Sequence, residues 1–287
     1  MVVASAILVC VFITVKRGIL KAALSFVGYM LALFLSLSIS AGMTGSISES
    51  VNNSNKKEIR HILEDYDYTE ALAGYIQSLG YDVYVNRKTL GNIIHNENDI
   101  DGKIYSYLNN INAKKVDTES SFKAKIHDGY ALIASDIISR EMSMYSAETA
   151  SNMIKEDPEK FYEFMRRLDD PDDMRPAANF LVDTYLSQPY RSQIKLVCIL
   201  AVMIMILVLT LLITYARGSR DHTEINIVSG AMSALIGIFK GAVIVFGIAV
   251  AVRLSVILGS NKMLFFNHEA IDNTFVFKYI YEFVKNL

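Results

Sequence analysis

The nineteen residues GILKAALSFVGYMLALFLS at 18–36 recur as GIFKGAVIVFGIAVAVRLS at 237–255. The two stretches align without a gap at an offset of 219, and eight pairs are identical: Gly18/Gly237, Ile19/Ile238, Lys21/Lys240, Ala23/Ala242, Gly28/Gly247, Ala32/Ala251, Leu35/Leu254 and Ser36/Ser255. Any two apolar helices share Leu and Ile, but shared Gly, Lys, Ala and Ser at fixed spacing is a stronger signal. The reading is two copies of one membrane unit.

On a helix of about 100° per residue, Gly18, Lys21, Ala22, Ser25, Gly28, Ala32 and Ser36 fall within an arc of about 120°. The opposite side is Leu, Phe, Val, Met and Ile. The second copy keeps the arc with Gly237, Lys240, Gly241, Gly247, Ala251 and Ser255, and places Ile244 where the first has Ser25. Lipid gives helices no hydrophobic reason to associate, so small residues at four-residue spacing mark the face on which a neighbouring backbone comes close. Gly18, Gly28, Ala32, Ser36, Gly237, Gly241, Gly247, Ala251 and Ser255 are therefore the expected packing residues. Lys21 and Lys240 become candidate intramembrane polar residues on the protein-facing side. The plainer reading is that they set topology from the cytoplasmic interface; the alternative is a polar path or an anionic headgroup site.

Working outward, Met1–Val15 is a short apolar start, Gly18–Ser40 is 23 residues and Val197–Ala216 is 20. Spanning takes about 20 apolar residues. The first stretch reads as a real span beginning a few residues upstream. The last stretch, Ile225–Leu258, would make a helix of about 51 Å against a hydrocarbon core of about 30 Å. It is expected to divide into a short interfacial or re-entrant helix at 225–236, carrying Ser229, Gly230 and Ser233, and a fourth span from Gly237. Lys16, Arg17 and Lys21, and then Arg217 and Arg220, make both short loops basic and hence cytoplasmic, with the long insert and the C-terminus outside. Arg253 lies off the arc near the outer end and is expected to snorkel to the surface.

Charge is segregated. Residues 42–190 hold 16 Lys plus Arg against 25 Asp plus Glu, while the rest holds 12 against 5, so an acidic insert interrupts a basic membrane part. Cys10 and Cys198 would lie about 20 Å apart in depth, too far for a disulfide. The insert has no cysteine and must be held by its core. Its pattern predicts helices at 55–66, 68–79, 101–111, 119–145, 148–156, 158–168 and 176–186, with a short strand at 81–86. Twelve of the sixteen tyrosines lie in it, and core or headgroup roles account for them as readily as ligand recognition does.

Several constellations resemble chemistry without completing it. Glu97, Asp99, Asp101 and Gly102 mimic half an EF-hand loop, but Leu108 stands where a bidentate Glu is needed, so the stretch reads as a polar turn. Asp169, Asp170, Asp172 and Asp173 around Pro171 read as helix capping rather than a cation site. His61 and Glu64 lack the second His of a zinc motif, and all five histidines are taken as structural or exposed. With no GxSxG, P-loop or CxxC, no enzymatic activity, metal or cofactor is expected.

Lys16-Arg17-Gly18 followed by Lys21, the run AANFLVDTYLSQP at 177–189 leading into the third span, and Ser229-Gly230 before GIFKG at 237–241 resemble the colicin V production protein (CvpA-like) family of bacterial inner-membrane proteins. The likeness covers residues 1–45 and 176–260. It implies four spans and a role in toxin production, export or envelope homeostasis, with no catalytic residues to carry over, and it does not account for the acidic insert.

The expected protein is all-α and polytopic, with four transmembrane helices arranged as two helix-hairpin repeats plus a mostly helical extracytoplasmic domain. Its parts are a first hairpin at 1–41, the insert at 42–192, a second hairpin at 193–260 and an amphipathic C-terminal helix at 261–287. It sits in the bacterial cytoplasmic membrane and acts without catalysis. The alternative is a membrane-anchored extracytoplasmic receptor or cell-wall-binding module. The expected partners are the lipid bilayer, a second copy of the chain and an envelope protein or cell-wall component at 42–192, with no nucleic acid.

Overall fold

The computed structural model describes residues 2–168, 170, 172–216, 227–259 and 267–287, and every regular element among them is helical. The chain forms two compact units, Met1–Ser48 with Arg191–Leu287, and Glu49–Tyr190.

The first unit contains α1 (Val2–Lys16), the first part of α2 (Ile19–Glu64), most of α10 (Ser187–Ala216), α11 (Ile227–Leu258), α12 (His268–Asp272) and α13 (Phe277–Lys285). Among the described residues, three helical stretches are long and apolar enough to cross a membrane: α2, Arg175–Ala216 and α11. The 15 residues of α1 are apolar but shorter. Only 28% of the most apolar window is buried in α2 and in the Arg175–Ala216 stretch, against 56% in α11, so α11 is the central helix of the unit. The outward faces carry Leu20, Val27, Leu31 and Phe34 on α2 and Leu209, Leu211, Leu212 and Ile213 on α10. An apolar shell this continuous belongs in lipid.

Glycines decide how the helices approach. A Cβ added at Gly237 would stand 2.5 Å from the Val11 Cα and 3.1 Å from the Cys10 carbonyl oxygen, and one at Gly241 would stand 2.8 Å from the Ile7 Cα. Thus α1 and α11 meet backbone to backbone. Gly28 is covered by the Thr210 side chain and Gly247 by the tip of Met203, both on α10. Phe26 and Phe239 meet edge to face at 4.9 Å. Along α2, Ala22, Ser25, Ala32 and Ser36 are buried, and the stripe continues through Ser40, Thr44 and Ser48. These hydroxyls do not need partners on other helices. Ser36 donates to the Leu33 carbonyl, Ser40 to Leu37, Thr44 to Ser40 and Ser48 to Gly45, at 2.5 to 3.0 Å. Ala251 and Ser255 are half-buried, and Ser255 donates to the Ala251 carbonyl at 3.0 Å. Gly18 differs from its counterpart: it makes the turn between α1 and α2 at φ 80°, whereas Gly237 lies inside a helix.

Three boundaries and the place of one side chain depart from the sequence reading. The second span does not stop near Ser40, because no proline interrupts it and α2 continues to Glu64; the 41/42 boundary therefore falls inside a helix. Residues 227–258 form one uninterrupted α11 rather than a short helix and a span, since a lone Gly230 costs only about 1 kcal/mol; residues 225 and 226 lie outside the described residues, as do Arg217, Arg220 and His222. Among the described residues of the C-terminal segment there are two helices, α12 and α13, separated by residues 273–276. Arg253 does not reach a surface. It is buried, with its guanidinium 6.0 Å from the centre of the Tyr281 ring and Nη1 3.4 Å from the Tyr281 hydroxyl, because α13 lays Tyr281 and Phe277 over Val252 and Val256.

The second unit is built from the end of α2 and α3 (Tyr68–Ser78), α4 (Arg87–Asn96), α5 (Ile100–Asn112), α6 (Glu119–Ser139), α7 (Met144–Glu156), α8 (Pro158–Arg166) and α9 (Arg175–Leu181). Ile59, Leu72, Ile76, Phe122, Phe161, Phe164 and Tyr185 fill one core. Its short helices start where the sequence supplies a side-chain acceptor. Asp67, Asn86, Asp99, Thr118, Ser143 and Asp157 each accept from the backbone N–H three residues on, each cap contributing about 1 kcal/mol. Ser143 is why the expected helix 119–145 breaks in two, and Asn86 starts a helix at 87–96 where none was expected. The expected strand at 81–86 is absent. That stretch has no regular structure: Asp82 sits at φ 54°, which breaks a strand, while Val85 plugs the core. After α9 the chain makes a π-helical turn at Val182–Leu186 before α10. Pro189 lacks an N–H and crowds the carbonyl four residues back, and widening the preceding turn relieves that conflict.

These contacts rank the glycines. Gly237→Ala and Gly241→Ala should each cost about 3 kcal/mol because backbone must move, whereas Gly247→Ala should cost about 1 kcal/mol because only a methionine tip must turn. Thermal unfolding of the detergent-solubilised chain reads the order; a Gly247 variant as damaged as the Gly237 variant would refute it.

Candidate functional sites

In the membrane unit the two lysines of the repeat occupy different places. Lys240 is 6% exposed, donates to Thr14 Oγ1 at 3.2 Å and lies 5.1 Å from the centre of the Tyr29 ring. Thr14 is itself 1% exposed. Three helices thus enclose the ammonium: α11 carries it, α1 gives one hydroxyl and α2 gives an aromatic face. Among the described residues it forms no ion pair. Lys21 is half-buried and lines, with Arg17, a groove between α2 and α10. Sequence placed both lysines toward protein, but only Lys240 is enclosed. Of the expected packing residues, Gly28 and Gly247 converge on α10 and Gly237 and Gly241 on α1, while Gly18 shapes a turn. Cys10 and Cys198 are both free thiols.

The second unit contains a polar centre that the sequence reading passed over. Asp101, read there as part of a polar turn, is 3% exposed on the first turn of α5. His127 Nε2 lies 2.5 Å from its Oδ2, the Tyr162 hydroxyl donates to the same oxygen at 2.7 Å, and the Tyr130 hydroxyl donates to Oδ1 at 2.8 Å. Neighbouring Asp99 is the turn residue, capping α5 through the Gly102 N–H at 3.0 Å. Burial alone would push the Asp101 carboxyl up, but the hydrogen bonds from His127, Tyr162 and Tyr130 outweigh it and hold it below its ordinary range. Burial and the adjacent carboxylate push the Tyr130 and Tyr162 phenols up. The partners come from α6 and α8, 26 to 61 residues along the chain, so no local motif announces them. The one legible sign is His127 and Tyr130 three residues apart on a single helix face.

Asp101, His127 and Tyr162 line one wall of an open cleft of about 1060 Å³, rimmed by Asp99, Lys123, Glu159, Lys160 and Arg166. All three Asp101 partners are donors, so the carboxylate has little left for a ligand; it holds the wall and leaves the rim to make contacts. In the acidic run, Arg175 donates to Asp173 through its guanidinium at 2.7 Å and its backbone N–H at 3.1 Å, which holds that carboxyl down at about 2. Asp170 accepts from the Asp172 N–H at 3.0 Å, whereas Asp169 and Pro171 lie outside the described residues. Asp173 thus closes a turn before α9, and the N-cap residue itself is Met174. No family model, curated protein or solved structure matches the chain.

Because the Asp101 carboxyl is depressed in the fold, its stabilisation is present above the unfolded-state value and is lost as pH falls through the folded one. Asp101→Asn should cost about 3 kcal/mol near neutral pH, since an amide turns a donor toward hydroxyls that need an acceptor. The gap between parent and variant should close in acid. Chemical denaturation across pH measures it; a gap that stays constant down to strong acid would show that the charge is not what stabilises the site.

Proposed function

We propose that the chain is a four-span protein of the bacterial cytoplasmic membrane, built from two copies of a helix hairpin, that serves envelope homeostasis, toxin production or an associated transport process without catalysis, as its resemblance to the colicin V production family suggests. The apolar shells of α2, α10 and α11 support three spans. The fourth is α1, whose backbone is seated on α11 at Gly237 and Gly241. Its 15 residues give about 22 Å, short of the hydrocarbon core by about 8 Å, a gap that Lys16 and Arg17 bridge from the interface. The loops bearing those residues, and Arg217 and Arg220, are inside; residues 49–190 and the C-terminus are outside.

The observation that carries a functional rather than a merely structural membrane part is Lys240. An ionisable side chain enclosed among apolar helices is costly, and within a bundle it marks a path or a switch. An anchor needs no such residue. In a strain lacking the gene and sensitised to envelope stress, Lys240→Met should accumulate in the membrane like the parent yet fail to restore resistance, while Lys240→Arg restores part of it. Full rescue by Lys240→Met would remove the functional role. A reporter inserted after Lys115 should be active only as an extracytoplasmic probe and one after Asp221 only as a cytoplasmic probe; the reverse pattern would overturn the orientation.

The cleft beside Asp101 favours a second reading, a membrane-anchored receptor or cell-wall-binding module. Its rim of Lys123, Lys160 and Arg166 beside Asp99 and Glu159 suits a zwitterionic or polar polymer better than an apolar ligand. Under that reading the full-length protein cosediments with purified cell wall and loses the property on Lys160→Glu, while Lys240→Met has no effect.

A further inference from the structure

We infer that the groove between the start of α2 and the end of α10 is a binding site for the headgroup of an anionic phospholipid. The cavity measures about 830 Å³ and is lined by Arg17, Lys21, Ser25 and Thr214, with Val208 and Leu211 among the residues of its apolar wall. Arg17, just before the Gly18 turn, and Lys21, on the first turn of α2, bring two positive charges to the same opening. Lys21 is half-buried and lines the groove rather than standing free in solvent.

Backbone adds to that field. Gly18 turns the chain at φ 80° so that α2 begins at Ile19, and the N–H groups of its first turn have no carbonyl partner within the helix. Two cations beside a helix N-terminus form a site for phosphate oxygens, with bidentate capture by the guanidinium. The nearby last turn of α10 presents carbonyls of opposite sign. The Thr214 hydroxyl shares its one proton between the Thr210 carbonyl at 2.8 Å and the Leu211 carbonyl at 2.9 Å, leaving its oxygen an acceptor for a headgroup hydroxyl.

The apolar wall selects lipid over a free anion. Val208, Leu211 and Leu212 are 47%, 50% and 59% exposed on the face of α10 that belongs to lipid, so a groove that begins at two cations continues into acyl-chain territory. A soluble phosphate would use only the first half. Phosphatidylglycerol matches both halves: one negative phosphate, a hydroxyl-bearing headgroup and two chains.

This inference rests on reading α2 and α10 as spans, and carbonate extraction of membranes tests that reading separately. The site itself is tested by native mass spectrometry of the full-length protein, titrated with phosphatidylglycerol, phosphatidylethanolamine or inorganic phosphate. The parent should prefer phosphatidylglycerol over phosphatidylethanolamine. Arg17→Gln with Lys21→Gln should weaken it about thirtyfold, from about fivefold per charge near the surface. The exposed pair Lys114→Gln with Lys115→Gln removes the same charge elsewhere and should change nothing. Val208→Phe fills the groove while keeping the charges that set topology, and should weaken phosphatidylglycerol as well. Loss of binding in both groove variants supports the site. Equal binding in either groove variant, no preference over phosphatidylethanolamine, or displacement by millimolar inorganic phosphate overturns it; a chain that resists extraction but shows one of these outcomes loses the site and keeps its spans.

Discussion

The approach of the α1 and α11 backbones at Gly237 and Gly241 is the constraint on which the membrane unit depends. In lipid, removing leucine from its surroundings gains nothing, so helices stay together only where many atoms touch closely and polar groups find one another. At Gly237 the neighbouring atoms are the Val11 Cα and the Cys10 carbonyl oxygen, not a side chain that could rotate away. That approach fixes α1 along α11, and fixing α1 puts Thr14 within reach of Lys240. The enclosed ammonium therefore follows from the absence of two Cβ atoms. Gly28 and Gly247 work less strictly, because the atoms covering them belong to Thr210 and Met203.

The second unit solves the same problem in the way water allows. Hydrophobic burial draws Ile59, Leu72, Phe122, Phe161 and Phe164 together, and six side-chain caps end the ambiguity about where each short helix begins. The acidity of this segment has a local cause in part: Asp67, Asp99 and Asp157 are caps, and Asp117 accepts from Lys125 at 2.7 Å. Exposed ion pairs such as Arg60 with Glu64 and Lys123 with Glu119 add little beyond solubility. Aromatic contacts tie the elements, with Tyr68 reaching Phe161 and Phe164 and its hydroxyl reaching the Met165 sulfur at 2.8 Å. The abundance of tyrosine in this unit is thus partly a matter of packing, as Tyr68, Tyr130 and Tyr185 show.

What could be read in advance divides along the same line. Helical membrane stretches follow from composition, and the small-residue arc from a period of 3.6, because both are local properties. The breaks were harder. Nothing near Ser40 says that α2 continues to Glu64, since no residue forbids the helix and the core that buries Ile59 and Leu63 is assembled from distant parts of the chain. Arg253 was misplaced because its cover comes from α13, and an amphipathic segment does not announce which neighbour it will lie on. Asp101 was misread because its three partners lie on other helices; sequence displays a carboxylate in a polar stretch, whereas burial is decided by the fold.

The two buried ionisable groups show how differently the units treat charge. Asp101 receives three donors, two of them phenols, and is settled below its ordinary titration range. Among the described residues Lys240 meets one hydroxyl and the face of one ring. A structural charge is surrounded until further partners would add nothing, because each unsatisfied direction costs free energy in a low dielectric. An ammonium with three donors that meets one acceptor keeps capacity for an anion, a water chain or an exchangeable proton. That unmet capacity, in the half of the molecule where it is most costly, is the ground on which the proposed role of the membrane part rests.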